Sequence, residues 1–540
     1  MARVVTDRAF ERRLAALANN REHGAALAGG RRGLEREGLR VTGAGGIAAS
    51  PHPLALGSAL CNPAITTDFS EALLELVTPT FPDNASLARY LSELHHFVAQ
   101  RLDEEMIWAA SMPGEINGED EVPIAYYGRS HRGRFKEVYR RGLKTRYGAL
   151  MQAIAGAHYN YSFPQRFWPL WADLLGSHRH DEEFISARYF DLVRNYRRHG
   201  WLALYLFGVS PALCSSFVAA AVADELQPLG PSTLHLPYAT SLRMSDLGYR
   251  NRDKAAVAVS TNTLDEYLRD LQHATHTVHP PFAALGVRVD GEYRQLNANI
   301  LQIENEYYSN IRPKRALQPG ETTVRALSRS GVEYVEVRAL DICIFEPTGV
   351  CTDEMHFMEA FLALCLARSS DPIGPAEQQQ LDNNHLLVAR RGREPELQLL
   401  RDGRSVALKS WGAELLDQLA GICELLDADD PAQPYRRSLA KQLEKLRDPE
   451  RTPSARHLQE LRRSGTGFAE HTRVLSAEHR TRLLAQEGRD PAMQAQFAAE
   501  AVDSLVEQDA QERNDHGSFE EYLAHALEPV PVADARKGAA

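Results

Sequence analysis

Cysteine is sparse in this chain and never paired. Its six cysteines, Cys61, Cys214, Cys343, Cys351, Cys365 and Cys423, make no Cys-x-x-Cys motif and no zinc-like spacing. That excludes a zinc module and a disulfide scaffold, and points to reduced thiols in a cytosol. A basic excess is missing too: 61 Lys and Arg face 72 Asp and Glu, a formal net charge of -11. Bulk attraction to nucleic acid is thereby disfavoured. The start of the chain has no apolar centre of a signal peptide, because Arg3, Asp7, Arg8, Glu11, Arg12 and Arg13 crowd its first turns. Residues 201–223 are free of charge over a bilayer-like length, and Gly208, Ser210, Pro211, Ser215 and Ser216 interrupt them. The expectation there is a buried helix, a turn at Gly208 to Pro211 and a second helical segment, not a membrane span.

What is present is an ordinary globular composition, 25% charged and 44% hydrophobic over 540 residues. It suits a cytoplasmic protein handling small molecules, with length enough for a sizeable core. Residues 331–341 alternate as a strand, so Glu336 and Arg338 share one face. A carboxylate that holds a metal beside a guanidinium that clamps an oxyanion suits phosphoryl transfer. An exposed ion pair is the plainer reading of the same two residues.

Along the chain, residues 1–30 read as helical, with Phe10, Leu14, Leu17 and Ala18 on one face and Gly29 and Gly30 at the end. Residues 33–41 read as a strand that puts Glu35 and Glu37 on one face. Like charges held together usually mean a cation is supplied. Gly43 to Ala48 imitates a dinucleotide fingerprint, but Ala49-Ser50-Pro51-His52-Pro53 cannot open the helix it requires, leaving a hairpin turn. Residues 66–76 suggest a helix entered through a cap, with Asp68 and Glu71 in capping-box spacing and Asp68 and Glu75 eclipsed after two turns.

Residues 84–104 predict another helix. The basic stretch 128–147 suits contacts to phosphates or carboxylates, or a solvated helix face. Residues 157–163 alternate as a strand, placing His158 with Asn160 and Ser162; His158 is a metal ligand, a base or a structural hydrogen-bonder. Residues 178–198 read as helical. Residues 299–308 predict a strand with Gln302, Glu304 and Glu306 on one side. After Pro347 an apolar helix over 354–369 opens a charged, helical remainder.

Glu35, Glu37, Asp68, Glu75, His158 and Glu336 together are too negative to assemble without divalent cations. Oxygen ligands with one imidazole suit Mg²⁺ or Mn²⁺.

Separated motifs then bring a family into view: Gly33-Leu34-Glu35-Arg36-Glu37, Ala55 to Leu60, Ile65 to Pro79, Gly133-Arg134-Phe135-Lys136 and Arg146 to Gln152. They continue through His158-Tyr159-Asn160, Tyr205 to Gly208, Leu236 to Tyr249, Gln302 to Glu306, Ile311 to Arg315 and Glu333 to Asp341. The chain resembles the proteobacterial type of glutamate–cysteine ligase (γ-glutamylcysteine synthetase), first enzyme of glutathione biosynthesis. The likeness covers about residues 30 to 350.

The resemblance implies an α+β fold, a glutamine-synthetase-like funnel of curved, largely antiparallel sheet with surrounding helices. It implies ATP-dependent joining of L-glutamate and L-cysteine through a γ-glutamyl phosphate. On these positions it makes Glu35, Glu37, Asp68, Glu75, His158 and Glu336 metal ligands, with Arg338 and Arg140 on the phosphoryl group. It puts Arg243 on the glutamate carboxylate and Tyr139, Tyr249, Tyr308 and Phe69 at the cysteine pocket. Nucleotide contacts fall within Gln302, Glu304, Arg312 and Lys314. No Walker motif is present, and this family needs none.

The organisation expected is an N-terminal helical segment (1–30), a catalytic sheet with inserted helices (31–350), a C-terminal helical region (351–528) and a loose tail (529–540), acting as a monomer without nucleic-acid or membrane partners. Gly114 stands where the family pattern has cysteine, and the loop to Glu121 diverges. Other readings are a ligase that accepts a different amine, a non-catalytic sensor on the same fold, and a two-metal phosphohydrolase.

Overall fold

The structure, a computed structural model, describes residues 7–218, 224–248, 258–318 and 320–529. Seven strands make its central sheet: β1 (Arg31–Val41), β2 (Ile65–Thr67), β3 (Leu73–Val77), β4 (Met106–Ile107), β5 (Ala157–Ser162), β6 (Ile311–Lys314) and β7 (Tyr334–Leu340). Their order is β6-β7-β5-β1-β3-β2, with β4 pairing the far end of β1, and every pairing is antiparallel. The fold is α+β.

The two faces of the sheet differ because side chains alternate along each strand. On one face Tyr159, Val335 and Val337 are 0% exposed and Tyr161 is 1% exposed. Each contributes about 1.5–3 kcal/mol by leaving water. Behind them lies the helix Thr352–Ala367, whose Glu359 forms a fully buried ion pair with Arg32 of β1 and accepts from Tyr435 at 2.8 Å and Asn84 at 3.2 Å. One carboxylate thus ties the sheet to three helices, Asn84–Ala99, Thr352–Ala367 and Pro434–Arg447. The opposite face is polar although it is also covered.

Several expectations hold. The N-terminal helices are Arg8–Asn19 and Arg21–Leu27, with Phe10 and Leu17 buried; Ala18, expected on the same face, is exposed. Asn20 separates them and accepts from the Glu22 amide at 2.9 Å, capping the second. The basic stretch is the helix His131–Tyr147, and Glu182–His199 matches the helix expected before the uncharged run.

Three expectations fail. Residues 66–76 are not a helix but the hairpin β2–β3, closed by the Asp68 amide on the Leu73 carbonyl at 2.9 Å. Propensity lost there to the sheet edge that β1 offers. Glu71 caps nothing; its carboxylate accepts from the amides of His52 at 2.8 Å and Tyr126 at 2.7 Å.

In the uncharged run, Trp201–Phe207 is a buried helix, but residues 212–214 form a short strand and 215–217 a single 3-10 turn where the expected second helical segment would begin; residues 219–223 lie outside the described residues. No described helix is long and apolar enough to cross a membrane. Residues 299–308 are a loop with a 3-10 turn at Glu304–Glu306, not a strand.

Candidate active site

The polar face of the sheet is assembled by register. Glu35 lies opposite His158, Glu37 opposite Glu75, and Glu336 opposite Asn160. Glu35 Oε2 is 3.1 Å from His158 Nδ1, Glu37 Oε1 is 3.4 Å from His158 Nε2, and Glu336 Oε1 is 3.7 Å from His158 Nδ1. Glu35, Glu75 and His158 each place a donor atom within 4.8 Å of the other two. Asp68 lines the adjoining cleft with Glu37 and His158. Glu75 reaches Glu35 and His158 through a hairpin and not a helix.

Electrostatics show what this grouping lacks. Burial, with Glu35, Asp68 and Glu37 nearby, drives the Glu75 carboxyl well above its ordinary range, and burial raises Glu37 as well. Burial and Glu336 oppose ionisation of Glu35, yet the His158 contact brings it below its usual value. Glu336 is 1% exposed; burial works against its charge, but Lys314, Arg338, His158 and Arg312 hold it well below the carboxylate range. Its Oε2 has no hydrogen bond, with Lys314 Nζ 3.6 Å away. An under-neutralised set of carboxylates with one imidazole fits a hard divalent cation. The exposed ion pair that Glu336 and Arg338 might have formed is ruled out by this burial.

A bulge aims the arginines. Val337 pairs with Tyr159 and Leu340 with Ala157, so β7 carries one residue more than β5, and Arg338 and Ala339 together face His158. Such an insertion leaves ladder groups unpaired and redirects a side chain. Arg338 Nη1 turns to Glu336 Oε1 at 3.1 Å, and its carbonyl accepts from Arg243 Nη2 at 3.0 Å. Asp341, fully buried just beyond the strand, accepts from the Val209 amide at 2.9 Å and Ser241 Oγ at 2.8 Å, and stands 3.8 Å from Arg243 Nη1. It pins the turn carrying Arg243 onto β7.

The helix His131–Tyr147 closes the other side. Arg140, 7% exposed, donates Nε to the Asp68 carbonyl and lies 4.6 Å from the Tyr127 ring centroid; Lys136 Nζ is 4.5 Å from the same centroid. Burial, then Arg140 and Arg132, push Lys136 down to about 8. The Tyr127 hydroxyl donates toward the carbonyls of Thr67 at 2.7 Å and Asp68 at 2.9 Å. The end of the divergent loop therefore braces the β2–β3 turn, with backbone bonds from Ala125 to Phe69 at 3.0 Å and from Glu71 to Pro123 at 2.9 Å.

Phe69, Tyr139, Arg140, Arg243, Tyr308 and Arg312 all line one cleft of about 120 Å³ beside the cluster. Tyr308 Oη bonds Met244 Sδ at 3.2 Å. Tyr249 lies outside the described residues. Arg312 and Lys314 flank Glu336 on β6. Gln302 is 0% exposed, and its amide is already bonded to the Leu296 amide at 3.0 Å and the Tyr139 carbonyl at 3.2 Å. Glu304 lines a neighbouring cleft of about 170 Å³ with Phe135, Gln272 and Thr323.

Sequence reasoning missed Tyr127 and Asp341 as braces, and also the buried Arg146, which bonds Glu306 at 3.0 Å while Tyr147 reaches the same carboxylate at 2.7 Å. The signal for Arg146 lay in the basic stretch; for Tyr127 there was none.

A cleft flanked by crowded carboxyl groups, one imidazole and converging guanidiniums, built on rigid strands, defines an enzyme for anionic small molecules. A family model described as glutamate-cysteine ligase matches residues 14–388. Glutamate–cysteine ligase of Alcanivorax borkumensis is 47% identical over 520 residues, 95% of this chain and 98% of that protein. That of Pseudomonas aeruginosa is 47% identical over 492 residues, 91% and 93% of the two chains. The crystal structure of glutamate–cysteine ligase from Francisella tularensis in complex with AMP matches with a TM-score of 0.86 at 36% identity, covering 92% of this chain and 97% of that one. The chain belongs to the glutamate–cysteine ligase family.

Proposed function

We propose that this enzyme joins the γ-carboxylate of L-glutamate to the amine of L-cysteine, converting ATP to ADP and phosphate. The observation that carries this reading is the meeting of Arg338, Arg243 and Arg312 with Glu37, Asp68 and His158 around one cleft, where His158 also belongs to the Glu35–Glu75–His158 group. An amide does not form from a carboxylate until one oxygen becomes a leaving group. In the first step a γ-carboxylate oxygen bonds to the γ-phosphorus of ATP and the bond to ADP breaks. In the second, the cysteine nitrogen bonds to the carbonyl carbon, phosphate leaves with the bonding pair, and the amine gives up a proton.

Arg243 holds a glutamate carboxylate, while Arg338 and Arg140 hold the phosphoryl oxygens in flight. Tyr139, Tyr308, Phe69 and Tyr249 shape the cysteine pocket, and Arg312, Lys314, Gln302 and Glu304 form the nucleotide side. Glu35, Glu75 and His158, with Glu37, Asp68 and Glu336, would hold Mg²⁺ or Mn²⁺. When bound, that ion supplies positive charge to the phosphate oxygens.

In this reading residues 31–350 form a funnel similar to that of glutamine synthetase, residues 351–528 buttress it, and the enzyme works as a cytoplasmic monomer. The test is ADP release by purified protein, which should require both glutamate and cysteine. A panel of amines with glutamate and ATP separates cysteine from another acceptor, and phosphate release without any amine would instead indicate a phosphohydrolase.

A further inference from the structure

Arg36 sits between Glu35 and Glu37 on β1, so its side chain leaves by the opposite face of the sheet. It is 2% exposed, its Nε has no hydrogen-bond partner, and among the described residues no carboxylate lies within ion-pair distance; Glu37, on the opposite face of the strand, acts on it through space. The fold makes room for that group on purpose-built backbone: a Cβ on Gly38 would overlap Nη1, and one on Gly349 would fall 3.1 Å from Nε.

The guanidinium lines a small cavity with His95, His479, Arg480, Ser476 and Met106, and no acid lines it. Free space of about 20 Å³ admits one particle of water or halide size. Its other polar walls cannot neutralise Arg36. His95 Nδ1 donates to the Leu91 carbonyl at 2.8 Å, and His479 Nε2 to the Ile344 carbonyl at 2.8 Å. The second nitrogen of each ring is buried without a partner. Arg480 adds a further cation, directed to the Asp103 carbonyl. A buried charge with no counter-charge in contact is unfavourable, Glu37 lies across the sheet, and a water molecule would hydrate Arg36 without balancing it.

We infer that this cavity is a binding site for one monovalent anion of halide size, with Arg36 as its cationic ligand. While both imidazoles are neutral they present lone pairs, so the Arg36 N–H groups carry the anion. A ring that takes up a proton adds a further donor. The bound anion balances charge behind the strand that carries Glu35 and Glu37. None of the cleft residues lines this cavity, so the proposal stands or falls apart from the ligase reading.

The direct test is a crystal soaked in sodium bromide and measured at the bromine absorption edge. The expected result is an anomalous peak in contact with the Arg36 guanidinium. Ordered water only at that position overturns the proposal. In solution, Tm is titrated with sodium chloride or bromide against sodium gluconate at equal ionic strength. The full-length protein should show a saturating rise of about 2 °C with either halide, and Arg36→Met should lack it. An equal response to gluconate, or a peak without any halide-specific shift, means an adventitious ion only and also overturns it. Should Arg36→Met fail to fold, the anomalous map decides alone.

Discussion

Arg243 donates through Nη2 to the main-chain carbonyl of Arg338 at 3.0 Å. The guanidinium of one arginine is thereby held against the strand that carries the other, with Asp341 3.8 Å from Arg243 and Glu336 3.1 Å from the Arg338 guanidinium. The carbonyl belongs to a residue of the β7 bulge, so one inserted residue both aims Arg338 and anchors Arg243.

Asp341→Asn tests the anchor. It keeps the shape but removes the charge that faces Arg243, and weakens the bonds to Val209 and Ser241. KM for glutamate should rise about tenfold with kcat within about twofold, equivalent to about 1.4 kcal/mol of substrate binding. Steady-state kinetics with glutamate varied reads this directly. A fall in kcat at unchanged KM would sink the assignment.

Arg338→Lys and Glu336→Gln separate two roles on adjacent positions of one face. A lysine point charge does not reproduce a planar fork, so Arg338→Lys should keep ATP binding while kcat falls about 10²–10³-fold. Glu336→Gln should weaken metal and ATP use together. Calorimetric titration of ATP in the presence of Mg²⁺ distinguishes them, and equal loss of ATP affinity in both variants contradicts the division.

Glu75→Gln removes one charge from a crowded set. With metal stripped by a chelator, the variant should melt no lower than the parent protein, because repulsion from Glu35, Asp68 and Glu37 is relieved. With Mg²⁺ added, the parent should gain in Tm and the variant should gain clearly less. Paired melting curves with and without metal check this; an equal Mg²⁺ response in the two proteins refutes it.

Glu354 gives a pH signature away from the cleft. Burial pushes its carboxyl up to about 8 despite Lys445, and its Oε1 has no hydrogen-bond partner. A raised folded value means the folded state binds the proton more tightly than the unfolded chain. Stability from this group is therefore present below about 4.5 and declines as pH rises toward 8, by at most about 1.4 kcal/mol per pH unit. Glu354→Gln should flatten that decline, so that its Tm exceeds the parent's at pH 8.5 by more than at pH 5. Parallel Tm-versus-pH curves would expose the error.

Much of the site was legible because its residues lie two apart on strands. Glu35 with Glu37, His158 with Asn160, and Glu336 with Arg338 all follow from alternation, which is local. Glu75 was assigned to the site through the wrong element: its seven-residue spacing from Asp68 fits a helix, but the free edge of β1 draws residues 73–77 into the sheet. Gln302 and Glu306 were placed on a strand, whereas residues 304–306 form a 3-10 turn in which Glu306 is bonded to Arg146 and Tyr147. Tyr127 carried no signal at all, since an aromatic residue in a divergent loop becomes a brace only when Thr67 and Asp68 are brought to it.

By itself the sequence determined the acidic balance, the strand alternation, the donor types and the family, all properties of neighbouring residues or of motifs in order. Only the tertiary structure decided the register that sets Glu37 against Glu75, the bulge opposite His158, and the unpaired burial of Arg36. Each of these depends on hydrogen bonds or packing between segments tens to hundreds of residues apart, and no local spacing records them.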